Sequence, residues 1–338
     1  MQQLYPALTH LCLRWIDESL PALPSGFLGG SAPCLQYMYL DGTVFPALFT
    51  FFSSTSDLVS LFLNDIPQDG YISPEAMVSC LARLPRLQTL HIGFQPTSFG
   101  SGQIPPFSLT RTLLPSLTSF HFDGDHIYLE DLVSQINSPR LNRFTVKYRD
   151  HLPHFQVTQL FQFLDRSEEL KMSQITHADV NCTQIWLTFE MYSHPGRRPG
   201  WGLVSGVINC HRTAEASHIA HIFTQPSAML SRVAHLKLYR SQADAGFYPD
   251  DWLHLFRRLS VIQTLHVSRE FSTHVACILE AVSGEMVAEV FPVLDFIYLD
   301  GLPVSSVEKS LVARRISGHP VTVIGTEAEF DERVNSYV

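Results

Sequence analysis

One short phrase constrains this chain more than any other feature. It is L-x-x-L-x-L, with a large apolar residue at each of the three fixed places. It reads Leu8/Leu11/Leu13, Leu35/Met38/Leu40, Leu58/Leu61/Leu63, Leu87/Leu90/Ile92, Leu117/Phe120/Phe122 and Leu141/Phe144/Val146. After a gap it returns at Val233/Leu236/Leu238, Ile262/Leu265/Val267 and Leu294/Ile297/Leu299. The early copies start 27, 23, 29, 30 and 24 residues apart, and the late ones 29 and 32. A tenth, degraded copy begins at Leu170, where polar residues interrupt it.

A single match would be chance, but nine at near-regular spacing are the signature of leucine-rich repeats. The alternating end of the phrase is a short strand with one buried face, and the earlier apolar residue turns into the same core. No repeat can bury its stripe alone, whereas stacked repeats share one core. Proline precedes many copies (Pro6, Pro33, Pro85, Pro115, Pro139, Pro292), where it ends the preceding helix and extends the chain.

The segments between phrases have helical periodicity. Residues 73–84 start with Ser73 as N-cap and Pro74 in the first turn, and Met77, Cys80, Leu81 and Leu84 form a stripe. Residues 157–170 align Leu160, Phe161 and Leu164, and residues 250–262 align Trp252, Leu255, Phe256 and Leu259. Residues 216–225 and 305–324 read as a short helix and as a closing helix with a short strand. The expected fold is α/β: a leucine-rich-repeat solenoid, or horseshoe, with a parallel concave sheet and outer helices. It is read as a single domain over 1–338, with clear repeats at 8–170 and 233–324 and an irregular insert at 171–232. Within the insert, 182–191 and 202–211 read as a β-hairpin.

The 338 residues are 45% hydrophobic and 16% charged, which excludes a disordered chain. A formal charge of −9 argues against a nucleic-acid partner; the one basic cluster, 196–200, reads as a turn. No apolar run reaches the roughly 20 residues a membrane helix needs, and the N-terminus lacks the pattern of a secretory signal. The six cysteines are scattered without a CxxC pair, as expected of reduced, mostly buried thiols in a cytoplasmic or nuclear protein.

Residues 251–324 carry a set of segments that resemble one family. They are a helix and strand ending in TLHVS, a helix running into VAEVFPVL, the strand FIYLDGL, and a closing ARRISGHPV. In this order they are similar to fungal, basidiomycete-type F-box/leucine-rich-repeat-like proteins. The hairpin followed by LSRVAHLKLY extends the resemblance over most of 84–324. No F-box is recognisable ahead of Leu8. The resemblance implies a substrate-recognition subunit of a cullin-RING ubiquitin ligase, or a fragment of one. A ligase adaptor would then be a partner if an F-box lies upstream. A stand-alone repeat scaffold without a ubiquitin role is the alternative, and a hydrolase or metal-dependent enzyme a remote one.

Catalytic chemistry finds little support. Residues 26–33 and 202–206 miss the nucleophile-elbow spacing, and no phosphate-binding glycine motif occurs. The sixteen histidines include the pairs His151/His154 and His218/His221; Cys210 and His211 lie near the second pair in sequence, but nothing in the sequence shows that they converge as zinc would need. Asp123 and Asp125 could chelate a cation but read better as a turn. No catalytic residue, cofactor or metal is expected. The phrase instead points to the residues between its leucines, which face away from the core. The expected protein-binding face holds Tyr37, Tyr39, Phe62, His91, His121, Arg143, Lys147, Lys237, Tyr239, His266 and Tyr298. Its aromatic members, Tyr37, Tyr39, Phe62 and Tyr298, are read as exposed anchors. The expected partner is a protein, with neither nucleic acid nor membrane involved.

Overall fold

The computed structural model describes residues 5–15, 22–24, 26–46, 48–95, 111–149, 157–183, 186–193, 203–209, 215–240, 249–282 and 286–325. The chain divides into two compact units. The first comprises 1–150 and 156–172, the second 151–155 and 173–338.

In the first unit, every described copy of the phrase lies on a strand: β1 (His10–Arg14), β2 (Tyr37–Asp41), β3 (Ser60–Ile66), β4 (Thr89–Phe94), β5 (Ser119–Gly124) and β6 (Arg143–Tyr148). They pair in parallel and in sequence order, with equivalent residues opposite one another. The middle place of the phrase forms one row, in which Met38 lies between Leu11 and Leu61 and the line continues through Leu90, Phe120 and Phe144. Helices α1 (Pro74–Leu81), α2 (His126–Gln135) and α3 (Thr158–Asp165) connect the later strands. Such connections suit parallel strands. Ser73 caps α1 as the sequence indicates, its hydroxyl accepting from Ala76 N at 3.3 Å.

The prolines work at a finer level than helix termination. Leu35 N donates to Ala32 O, Leu87 N to Leu84 O, Leu117 N to Leu114 O and Leu141 N to Ser138 O. Each is a four-residue turn with proline in its second position, where the fixed φ is already correct. A second device also repeats. One carbonyl of each repeat accepts two successive amides of the next: Gln36 O from Val59 and Ser60, Val59 O from Gln88 and Thr89, Gln88 O from Thr118 and Ser119. Turn and ladder together set the register of each repeat on the last.

Glu130 links neighbouring helices. Helix α3 starts after Val157, which offers no side-chain cap. The α2 carboxylate of Glu130 accepts from Gln159 N at 2.8 Å and Leu160 N at 2.9 Å, satisfying amides that would otherwise lack a partner. Behind it, Arg166 donates to Val133 O at 2.9 Å and to Ile136 O at 3.3 Å.

The second unit holds β7 (His177–Cys182), β8 (Trp186–Tyr192), β9 (Val204–Asn209), β10 (His235–Arg240), β11 (Thr264–Val267), β12 (Phe296–Leu299) and β13 (Thr322–Val323). Their order is β9-β8-β7-β10-β11-β12-β13. The strands from β7 through β10 to β13 run parallel, while β8 pairs antiparallel with both β7 and β9. The hairpin read from sequence is therefore present. Its connecting loop, with the basic cluster 196–200, lies outside the described residues.

The tenth copy is not where the sequence placed it. Leu170 sits in a short helix, Glu168–Met172, of the first unit. The phrase on β7 is Ile175/Ala178/Val180, all buried, with Ala178 opposite Leu236 and Val180 opposite Leu238. Alanine at the middle place hid it from a search for large apolar residues. The first strand of the supposed insert is thus a repeat strand, and the hairpin extends the sheet beside it.

Helices α4 (Glu215–Phe223), α5 (Pro249–Arg258), α6 (Arg269–Ala281) and α7 (Glu308–Ile316) are the longer helices of this unit. Arg314, 3% exposed, donates to Phe291 O at 3.3 Å and also to Val290 O, binding α7 to the turn before β12. Glu280 of α6 accepts from Ser310 N at 3.1 Å, the same cross-repeat contact that Glu130 makes. From Leu35 to Leu299, all fixed positions of the eight later copies are at most 4% exposed. This is a leucine-rich-repeat fold.

Candidate protein-binding face

The strand face opposite the leucines is ordered in rows in the first unit, because parallel pairing sets equivalent residues side by side. Row one reads Tyr37, Ser60, Thr89, Ser119 and Arg143 across β2 to β6. Row two reads Tyr39, Phe62, His91, His121 and Thr145, with Cys12 ahead of it on β1. Arg143 opens β6, while the other charged groups lie near the C-terminal ends of the strands: Arg14, Asp41, Asp65, Asp123, Lys147 and Arg149.

Rings in consecutive strands touch. The ring centroids are 5.8 Å apart for His10–Tyr37, 5.4 Å for Tyr37–Phe62, 6.1 Å for Phe62–His91 and 4.0 Å for His91–His121. Tyr39 also reaches Phe62 at 6.0 Å. Tyr37, Tyr39, Phe62, His91 and His121 are all half-buried, so each presents part of a ring to solvent. Arg143 is exposed and Lys147 half-buried. All seven expected residues of this unit thus lie on one surface.

Burial pushes His91 down to about 4, and the neighbouring His121 adds to the shift against the opposite pull of Asp123 and Asp65. His121 is lowered by burial too, which outweighs Asp123. Both rings are neutral near pH 7 and act as aromatic surfaces. Because the unfolded chain takes up the His91 proton near 6.5 and the folded chain only near 4, stability falls as the pH drops through that interval. The variant His91→Phe is expected to flatten this part of the acid limb. Melting temperatures of both proteins from pH 7 to 4 test it; parallel curves would mean His91 titrates normally.

Residues 123–126 are not a turn: Asp123 and Gly124 end β5, and His126 opens α2 directly after Asp125. Arg149 grips Asp123 with a two-pronged contact, Nη2 to Oδ2 being 2.6 Å, and its Nη2 also lies 3.0 Å from Asp65. Asp125 caps α2, accepting from Ile127 N at 2.7 Å and Tyr128 N at 3.1 Å. Both carboxylates are thus committed to protein groups.

In the second unit the corresponding face differs from expectation. Tyr298 is only 9% exposed and His266 only 3%. Neither is an exposed anchor. Their rings meet at 4.8 Å, Tyr239 lies 5.7 Å from His266, and Ile324 packs against Tyr298 with Phe296 beside it. Farther along, His177 stacks on His235 at 4.4 Å and on Tyr192 at 5.3 Å. Alternation correctly put these side chains opposite the core, but large rings in successive repeats cover one another there. Lys237 and Tyr239 remain half-buried.

The other sequence candidates stay apart. His218 is buried and His221 exposed, so the two do not share an accessible face. His151 and His154 lie outside the described residues. Among the described residues no group of three or more histidine, cysteine, aspartate or glutamate side chains could hold a metal ion, and no helix is long and apolar enough to cross a membrane. Of the cysteines, Cys80 and Cys182 are buried while Cys12, Cys34 and Cys277 are exposed, which corrects the expectation of mostly buried thiols. Cys210 falls outside the described residues.

No protein-family model and no curated protein matches the chain. Among solved structures it is similar to a chain of the crystal structure of the TLR13–ssRNA13 complex, with 12% identity and a TM-score of 0.35 over 87% of this chain. The match spans 36% of that chain, about a third of its length. It is also similar to the leucine-rich repeat-containing protein LegL7 from Legionella pneumophila, with 15% identity, a TM-score of 0.33, and coverage of 95% of this chain and 98% of that one. The fold assignment rests on the strand registers and repeat burial above.

Proposed function

We propose that the first unit binds a protein partner through the strand face opposite its leucines. The carrying observation is the continuous row of half-buried rings from Tyr37 through Phe62 to His121, which His10 extends onto β1. Rings already packed on one side lose little conformational freedom on binding, and aromatic side chains dominate the energetics of protein interfaces. The experiment is affinity capture with mass spectrometry, comparing the wild-type chain with a Tyr37→Ala/Tyr39→Ala/Phe62→Ala variant. Loss of specific partners from the variant is expected; an unchanged set would remove this face from consideration. Tyr298 is left out of the comparison because its burial would turn its replacement into a stability change.

The finer reading is substrate recognition for a cullin-RING ubiquitin ligase. What supports it is the resemblance of residues 84–324 to F-box/leucine-rich-repeat-like proteins. In that role the chain positions a protein for modification and does no chemistry itself. Adaptor and cullin among the captured proteins are the expected result. Their absence, with other partners retained, favours a stand-alone scaffold using the same face.

A further inference from the structure

A hollow of about 480 Å³ opens on the second unit, between the end of α4 and the turn that joins α5 to β11. Its volume lies within the roughly 300–1,000 Å³ usual for small-ligand sites. The α4 side contributes Phe223, Thr224, Pro226 and Ser231, and the α5 side Arg258, Ser260 and Val261. A smaller hollow of about 250 Å³ adjoins it, since Thr224 and Arg258 line both.

Arg258 is the group that no structural role absorbs. Helix α5 ends in two arginines, and a cation suits a helix C-terminus. Arg257 turns to Glu289 at 3.5 Å. Arg258 is exposed and makes no ion pair among the described residues. No carboxylate lines the larger hollow. The smaller one has Asp251, seven residues before Arg258 and so about 10 Å away along α5. The hydroxyls add a second constraint. Thr224 Oγ1 donates to Ala220 O at 2.6 Å, and Ser231 Oγ donates to Ala228 O at 2.9 Å. Each has committed its one hydrogen, so each offers a ligand a lone pair. The larger hollow therefore asks for an anion at one place and for N–H or O–H donors at two others. A bare phosphate ion meets the first demand and opposes the second.

We propose that the larger hollow binds the C-terminal end of a peptide chain. The terminal carboxylate lies against the Arg258 guanidinium, whose planar fork matches it, with the Ser260 hydroxyl beside it. Backbone N–H groups donate to Thr224 and Ser231. The last side chain is apolar and rests on Phe223, Pro226 and Val261. Val261 is 38% exposed, Pro226 is exposed and Phe223 is half-buried, so these surfaces are open to it. A chain end can stop in such a hollow, whereas an internal acidic residue must carry chain out on both sides. This site lies in the second unit and does not rest on the reading of the first unit's strand face.

The test uses pools of fluorescein-labelled peptides, Gly-Ser-Gly followed by three positions drawn from Ala, Val, Leu and Phe. They are made as free acids and as amides. Fluorescence anisotropy reads binding to the whole chain. The acid pool is expected to bind at least about 10-fold more tightly than the amide pool, the worth of one charge-assisted hydrogen bond. Arg258→Gln should remove this preference, while Arg315→Gln, at an exposed arginine near the end of α7, should leave it. The comparison of acid with amide leaves the protein untouched, so it does not depend on a variant folding. Two further amide pools end in glutamate and in phosphoserine. Equal binding of acid and amide pools, no binding by either, or a preference that survives Arg258→Gln overturns the inference. So does tighter binding of the glutamate or phosphoserine amides than of the acids, which would assign the hollow to a side-chain anion.

Discussion

Replacing Phe120 by alanine is expected to destabilise the first unit by about 3–5 kcal/mol, the usual cost of emptying a large aromatic position in a core. The ring is fully buried on β5. It meets Phe144 of the next repeat edge-on at 5.5 Å and Phe163 of α3 at 6.3 Å, and Phe144 lies 6.4 Å from Phe163. Three rings from two repeats thus form one cluster, so the cavity would open between repeats and not inside one. Because such folds are held by nearest-neighbour contacts, the loss should be felt on both sides of β5. Phe120→Leu keeps most of the volume and should cost clearly less. Denaturant unfolding of the three proteins measures the difference. A loss under about 1 kcal/mol for the alanine variant would contradict this packing.

The second large effect concerns Glu130. Removing its side chain strips the N-terminus of α3 of its acceptors, and Glu130→Ala should cost about 1–2 kcal/mol, as loss of a cap does. Burial pushes the carboxyl up to about 7, against the two backbone amides, which pull it down. An acid with a raised folded-state pKa binds its proton more tightly when folded. Its contribution is therefore fully present below the ordinary 4.5 and is lost as the pH rises through about 7. The slope has a ceiling of about 1.4 kcal/mol per pH unit. Glu130→Gln keeps one of the two acceptor oxygens without a titrating group, and should remove this dependence while costing no more than alanine. Wild type should then lose stability relative to the glutamine variant between pH 4.5 and 7, opposite in sign to the His91 effect. Parallel stability curves for wild type and the glutamine variant would show that folding does not shift the titration of Glu130.

Both predictions rest on contacts between residues about one repeat apart, and this separates what could be read in advance from what could not. The phrase at Leu87/Leu90/Ile92 or Leu141/Phe144/Val146 is local, and six residues suffice to show a strand with one buried side. Ser73 and Pro74 announce α1 for the same reason, since the cap and the amide it satisfies lie three residues apart. The copy at Ile175/Ala178/Val180 escaped because a methyl group at the middle place does not stand out from sequence. Its partners Leu236 and Leu238, which reveal it, are some sixty residues away.

The candidate site divides in the same way. Alternation determined which side of the strand Tyr37, Phe62, His91 and Tyr298 occupy, because successive side chains must point to opposite faces. It did not determine their exposure. In the first unit Tyr37, Phe62 and His91 stay half-buried. In the second unit His266, Tyr298 and Ile324 close over one another. The repeat, its core and the facing of each side chain are properties of the amino-acid order, since they follow from dihedral geometry within a few residues. Which outward residues stay accessible, and which carboxylate caps a distant helix, are properties of the folded chain. Burial and desolvation depend on neighbours that the chain brings back a repeat later.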